Sequence, residues 1–511
     1  YRRQRQMCIR DSSITATGVF SAQKYQYDRL YGASKDLSFN SLWYNLNGGA
    51  IESLTSNFSQ WTMMSYVGRI NYGLMDRYLL TASLRYDGSS RLSEGNKWAL
   101  FPSAAIAWRI TEEDFAKNLD WLSNLKLRFS YGQAGNTNSV SPYASEGTIS
   151  GSVYYPFGTS TSVGNLPANI ANPMLTWERT SEYNVGLDFG FLNQRISGNI
   201  EYYNRTTNDL LMKRNIPVHL GYSSVTSNVG SVRNSGFELQ LNTANIMTKN
   251  FAWNTTINLA YNKNEIVSLA DEEDLSNYSI HLQGMRGRYS DKRFIGKPVD
   301  TNWTQNTIGV WQLGEEEEAA KYGCVPGNFK IKDYNNDGKL TDDDYIIDGK
   351  RTPDWTGGMT NMFKIYDFDF SFHMYFQAGA TQYDRFFENF ALEWNSQNFN
   401  NLRTNYWTPE NPSNTMGRPS QMGSRGNIAY EKTDFLKVSY ITLGYTLNKR
   451  LMSKWGLDNA RIYVTVQNPF ILTKFRGLDP EQPDLTNIGD TDGMTMNALL
   501  LSLIHISEPT R

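Results

Sequence analysis

The chain has 511 residues, with 49 Lys and Arg against 51 Asp and Glu and a formal charge of -2, so no global basic surface argues for nucleic acid. Aromatic residues make up 14% of the chain, which excludes disorder over most of its length. No apolar run is long enough for a transmembrane helix, but a transmembrane β-barrel is left open because each of its strands alternates.

In chain order, residues 1–12 (YRRQRQMCIRDS) come first. They are basic and lack the apolar stretch of a signal peptide. They resemble a translated sequencing adapter, and so do residues 500–511 (LLSLIHISEPTR) at the other end. Both ends are set apart as artefact, which leaves 13–499 as an internal fragment of one domain. Cys8 falls in the first end, so Cys324 remains as a lone thiol and no disulfide framework is available.

The body of the chain is dominated by period two. Ser13–Ala22 and Tyr66–Met75 are expected strands. At Tyr78–Tyr86, Tyr78, Leu80, Ala82, Leu84 and Tyr86 alternate with Leu79, Thr81, Ser83 and Arg85. Trp98–Ile110, Leu125–Gly132, Tyr183–Phe189, Arg195–Asn204, Gly236–Asn242 and Phe251–Tyr261 follow. Thr356–Tyr366, Phe368–Gln377, Phe435–Leu447 and a strand at Ile462, Val464 and Val466 come last among the clearest segments, within an expected total of about fifteen strands. Strands place successive side chains on opposite faces, so each has one apolar and one polar side. Many are about 9–11 residues long, the length of a tilted membrane strand. Met75-Asp76-Arg77, Leu192-Asn193-Gln194 and Tyr366-Asp367 make short turns. Ala134–Thr180, Asn204–Ser231, Ser268–Lys292 and Gly379–Thr433 are long connections. Short turns on one side and long loops on the other are the habit of an outer-membrane barrel, and a soluble β-sandwich rarely carries so many long loops. Tyr66, Tyr72, Tyr78, Tyr86, Trp98, Phe101, Trp108, Tyr202 and Tyr203 would then form interfacial girdles. Helix is expected only at Glu315–Tyr322 and within Gln382–Tyr406.

One motif carries ligand chemistry. Asp333, Asn335 and Asp337, then Gly338, Lys339 and Asp344, fit the D-x-[DN]-x-[DN]-G loop with an acid at position 12. A hard cation such as Ca2+ needs six to eight oxygens. Asp333, Asn335 and Asp337 offer side-chain oxygens, Lys339 a carbonyl and Asp344 the closing carboxylate. The competing reading is a metal-free Asx-rich turn. The histidines His219, His281, His373 and His505 are scattered, and no G-x-S-x-G, GxxxxGK[ST] or HExxH pattern occurs, so nothing points to an enzyme. No organic cofactor is expected. Trp303, Trp311, Trp355, Trp394, Trp407 and Tyr154-Tyr155 fall in loop regions, as sugar-stacking rings or as internal packing.

Several segments together resemble the barrel of SusC/RagA-type TonB-dependent outer-membrane transporters of the Bacteroidetes. They are SYVGRINYGLMDRYLLTASLRYDGSSRL (Ser65–Leu92), FPSAAIAWRITEE (Phe101–Glu113), LKLRFSYGQAGN (Leu125–Asn136) and NPMLTWERTSEYNVGLDFGFLNQRISGNIEYYNRTTNDLL (Asn172–Leu211). NVGSVRNSGFELQLN (Asn228–Asn242), LKVSYITLGYTLNKRL (Leu436–Leu451) and ARIYVTVQNPFILTKFRGLDPE (Ala460–Glu481) continue in family order. The resemblance implies an all-β fold, a partial antiparallel transmembrane barrel from a 22-stranded whole. It implies an N-terminal plug and TonB-box, parts not found in this sequence, and a fragment that does not close by itself. It also implies an outer-membrane nutrient importer for oligosaccharides, a SusD-like surface lipoprotein as lid, TonB-ExbB-ExbD as energy source and outer-membrane lipid around the barrel. A loop of the Asp333–Asp344 type before Thr356–Tyr366 also recurs in that family. A peptide, siderophore or cobalamin receptor, and a soluble extracellular carbohydrate-binding β-protein, are the alternatives.

Overall fold

The computed structural model describes residues 2–481 except 10, 40, 42–43, 217–218, 220–221, 223, 389–404, 420–423, 449–451, 453–455, 458–459 and 478. Residues 500–511 and Trp394 therefore lie outside the described residues. Among those described, fourteen strands form one sheet. They are β1 (Arg2–Ile9), β2 (Ser12–Lys35), β3 (Ala50–Leu74), β4 (Tyr78–Ser89), β5 (Trp98–Arg109), β6 (Leu122–Asn136) and β7 (Glu178–Phe191). Then come β8 (Ile196–Asn208), β9 (Ser231–Met247), β10 (Phe251–Ser268), β11 (Trp355–Ile365), β12 (Phe368–Ala378), β13 (Phe435–Thr446) and β14 (Arg461–Thr473). Each strand neighbours the next in chain order, an up-and-down meander. Every strand read from the alternation is present. The adapter-like residues Arg2–Ile9 pair with Ser12–Val19 as a further strand.

The short turns show why the order is sequential. Met75 and Asp76 both take left-handed backbone, φ 53° and 54°, and the Arg77 N–H donates to the Leu74 carbonyl at 3.0 Å. Two central residues with positive φ make a type I′ turn, whose twist matches that of a hairpin. Leu192, Asn193 and Gln194 are left-handed in the same way, between β7 and β8.

The first compact unit comprises Tyr1–Arg109, Arg128–Asn184 and Arg205–Ser231. In it, β3, β4 and β5 pair Tyr66 with Tyr86, Ile70 with Ala82 and Tyr72 with Leu80, and then Tyr78 with Trp108, Leu80 with Ile106 and Tyr86 with Leu100. One face is therefore apolar, yet Ile70 and Ile106 are each 55% exposed. An exposed apolar patch of this extent needs lipid or a partner. Aromatic rows bound it. Trp98 lies 4.8 Å from Tyr86 and 6.2 Å from Tyr66 by ring centroids, and Tyr72, Tyr78 and Trp108 mark the opposite end. Tyr78 to Tyr86 is about 27 Å along a strand and Trp98 to Trp108 about 34 Å. A tilt of about 40° reduces these to roughly 20 and 26 Å, against an apolar barrel band of about 25 Å. The other face is polar and internally bonded: Thr81 Oγ1 donates to Asn71 Oδ1 at 2.9 Å, and Ser83 and Ser103 share a 2.6 Å bond.

Two girdle expectations need correction. Phe101 pairs with Arg85 on the polar face and is buried, packed edge-on to Trp177 at 5.5 Å. Tyr202 is exposed, whereas the next residue, Tyr203, turns the other way and donates to Asn262 Oδ1 at 3.0 Å. Adjacent strand residues cannot share a face.

The second unit comprises Ile110–Leu127, Val185–Asn204 and Val232–Arg511. Here Trp253, Ile257 and Tyr261 of β10 face Phe363, Met359 and Trp355 of β11, and β11 continues the pattern onto Phe370 and Met374 of β12. A polar side chain, Asn361, sits in this apolar face and is buried. Its Oδ1 accepts from Trp253 Nε1 at 2.9 Å and Thr255 Oγ1 at 2.7 Å, which offsets the cost of burying an amide there.

Candidate functional site

The described residues of the long connections of the second unit, 269–354, 379–388, 405–419 and 424–434, build folded layers beyond the strand ends. Val310, Phe329, Ile331, Phe387, Trp407, Met416 and Ala429 form one small core, and Leu275, Leu282, Tyr289 and Phe294 another. The two connections are laced together by amide side chains. Asn302 Nδ2 donates to the Thr381 carbonyl at 2.8 Å, Asn427 Nδ2 to Asp348 Oδ2 at 2.8 Å, and the Val310 N–H to Asn414 Oδ1 at 3.0 Å. Asn carries donor and acceptor on one short arm, which suits it to joining irregular backbone. The expected helix is present at Glu316–Lys321, with its acids at the positive end and Ala319 buried. In the second expected helical region, Arg385–Phe387 makes a short turn capped by Asp384, whose Oδ1 accepts the Phe387 N–H.

The loop aromatics divide by burial. Trp311 and Trp407 are 5% exposed and internal. Lys330 Nζ lies 4.2 Å over the Trp311 ring, and Trp407 Nε1 donates to Gln312 Oε1 at 3.0 Å. Trp303 packs among Phe294, Tyr289 and Tyr345. Trp355 joins the aromatic cluster of the apolar strand face with Tyr261 and Phe237. Tyr154 and Tyr155 are exposed, on the two-stranded hairpin Thr148–Phe157 and Ser160–Asn169.

The acidic loop is closed by its own amides. Asp333 Oδ1 accepts the Asn336 N–H at 2.6 Å and Oδ2 the Gly338 N–H at 2.9 Å and the Tyr322 hydroxyl at 3.0 Å. Burial pushes its carboxyl up, but these bonds win and hold it below the usual carboxylate range. Asn335 Oδ1 accepts from Asp337, and Asp337 Oδ1 from Lys339. Asp344 is fully buried and accepts the N–H groups of Tyr334 and Thr341. Gly338 has φ 76°, the conformation the motif reserves for glycine. Among the described residues, no three His, Cys, Asp or Glu side chains converge as a metal cluster.

The remaining titratable groups form no catalytic set. His373 shares a 2.8 Å bond with Thr360 Oγ1 on the polar strand face, and His281 is in a loop, its pKa lowered by burial. Asp369 pairs with Arg461, and Glu388 lies near Arg425. One charged group was not singled out from sequence. Asp384 is fully buried, and its Oδ2 has no partner among the described residues.

A meander with an apolar face between two aromatic rows is the strand pattern of an outer-membrane β-barrel wall. The family model described as TonB dependent receptor-like, beta-barrel, matches residues 9–469, and the chain belongs to this family. TonB-dependent receptor P26 of Formosa agariphila is 33% identical over 481 residues, covering 92% of this chain and 48% of its own. TonB-dependent receptor SusC of Bacteroides thetaiotaomicron is 35% identical over 432 residues, covering 82% of this chain and 41% of its own. The solved structure of the RagAB peptide transporter is 24% identical with a TM-score of 0.78, covering 94% of this chain and 52% of that one, and supports the fold. The chain thus spans about half the length of these relatives. It is an outer-membrane protein.

Proposed function

We propose that the protein carrying this chain is a SusC-like TonB-dependent importer of oligosaccharides. A SusD-like surface lipoprotein caps the barrel, and TonB-ExbB-ExbD supplies the energy. The barrel performs no covalent chemistry; its loops and lid hold ligand, and pulling from the periplasm opens the path. The observation that carries this reading is the 35% identity with SusC over 432 residues. It is tested by uptake of labelled oligosaccharides in cells with and without the gene, with TonB, and with the neighbouring lipoprotein gene. Uptake lost in each deletion supports the reading. Unchanged oligosaccharide uptake in the gene deletion, with peptide or siderophore uptake abolished instead, overturns it.

We also propose that the Asp333–Asp344 loop takes Ca2+ through Asp333, Asn335, Asp337, the Lys339 carbonyl and Asp344. Its support is the D-x-N-x-D-G spacing with left-handed Gly338 and two buried carboxylates. A carboxylate oxygen that accepts one N–H keeps a lone pair for a cation. The ion would stiffen the loop. Calorimetric titration of the full-length receptor with Ca2+, beside the D337N and D344N variants, tests this. Equal heats in all three overturn it.

A further inference from the structure

The hairpin of β2 and β3 is far longer than a membrane crossing requires. Its strands hold 24 and 25 residues, about 80 Å each, where about 9–11 residues suffice. Pairing runs without a bulge from Ser12 opposite Leu74 to Ala33 opposite Ser53. Phe20 and Tyr66 stand opposite each other in the aromatic row, with centroids 5.2 Å apart, so everything from Gln23 and Met63 outward lies beyond the lipid. With the register unbroken, the two faces of this ribbon are continuous with the two faces of the barrel wall.

The faces differ in chemistry. The one continuous with the lipid face carries Leu30, Leu54 and Phe58 interspersed with Lys24, Gln26, Gln60 and Asp28, which stands opposite Phe58. The one continuous with the polar, inward face carries Tyr25 opposite Trp61, Tyr27 opposite Ser59, Arg29 opposite Asn57 and Tyr31 opposite Thr55. Outward of Met63, the large apolar side chains on this side are rings, each beside a hydroxyl, amide or guanidinium, and no acid interrupts them. The rings are held. Tyr25 stacks on Trp61 at 5.6 Å, Arg91 lies 4.5 Å over Trp61, and Arg29 lies 5.6 Å from the Tyr31 centroid. Tyr25, Tyr27 and Tyr31 nonetheless remain between 41% and 46% exposed.

We propose that this inward strip is a binding platform for a linear oligosaccharide ahead of the barrel mouth. A pyranose has an apolar C–H face that seats on an aromatic ring and a rim of hydroxyls that bonds to amide and guanidinium. Tyr25 to Tyr31 spans about 20 Å, the reach of a short oligosaccharide. The opposite face, with Lys24 and Asp28 among its aliphatic groups, offers no such row of rings. The absence of acids on the strip admits neutral and anionic sugars alike. The proposal rests on the oligosaccharide reading above and adds the place of first contact.

The test is calorimetric titration of the full-length receptor in detergent with maltohexaose, xylohexaose, laminarihexaose, an alginate hexamer and a mixed-sequence peptide pool. Wild type is compared with Y27A/Y31A and with L30A/F58A on the opposite face, all checked for a heat-modifiable barrel. The expected result is binding of at least one hexasaccharide, weakened about tenfold or more in Y27A/Y31A and unchanged in L30A/F58A. A hexasaccharide bound equally by wild type and Y27A/Y31A overturns the platform alone. Binding of no sugar, or of peptides in place of sugars, overturns the importer reading with it.

Discussion

Arg476 grips Glu431 from two directions: its backbone N–H donates to Glu431 Oε2 at 3.0 Å, and its guanidinium pairs with Oε1 of the same carboxylate. The guanidinium also lies 4.1 Å over the Phe387 ring and donates to the Ile428 carbonyl at 3.1 Å. One side chain thereby clamps the segment after β14 onto the 379–434 connection. Arg476→Ala is expected to loosen that connection by about 2–3 kcal/mol, and Arg476→Lys to recover only part, because an ammonium lacks the planar fork. Faster proteolysis within 379–434 at an unchanged barrel melting temperature is the readout.

Asp384 lies beside this clamp. Burial raises its carboxyl pKa, Glu431 adds to that, and Arg476 and the Phe387 N–H oppose it. A carboxyl whose folded pKa exceeds its unfolded value, about 3.9, stabilises the fold below that value. The contribution is lost as pH rises through the folded pKa. The wild-type connection should therefore become easier to open by hydrogen exchange as pH climbs above about 4. Asp384→Asn should flatten that dependence and be the more protected form at neutral pH. An identical pH profile in the variant would falsify the assignment.

The face assignment makes a sharp pair of predictions at neighbouring positions. Ala82 is midway along β4 on the apolar face, and Ser83 faces inward. Ala82→Arg should cost about 2–4 kcal/mol in urea unfolding from lipid vesicles. Ser83→Arg should cost about 1 kcal/mol, the loss of its bond to Ser103.

Burial separates the loop aromatics in the same way. Trp407→Ala, which empties a packed site, should destabilise the loop layer by about 3–5 kcal/mol. Tyr154→Ala, at a 66% exposed position, should change folding by less than about 0.5 kcal/mol. Local hydrogen exchange around each residue measures both.

Strand existence, order and the two faces were legible in the residues, because alternation and short turns are local properties. Phe101 and the Tyr202-Tyr203 pair show the limit of reading aromatics as girdles without following the period. Leu100 and Tyr202 hold the outward positions, and their neighbours turn inward. The acidic loop was picked out by its spacing, and the structure shows it as a turn closed by its own amides with Gly338 left-handed. Asp384 was missed, since a single Asp before Arg385 has no sequence signature of burial.

By itself the sequence determined a membrane-type meander with folded connections on one side, since period two and turn chemistry act between near neighbours. The tertiary structure decided which rings are buried inside the loops and which stay exposed. Trp407 is buried through contacts such as that with Gln312, far away in the chain. Tyr25, Tyr27 and Tyr31 stay exposed even though Tyr25 stacks on Trp61 of the facing strand. Burial is a sum over distant contacts, which no local pattern records.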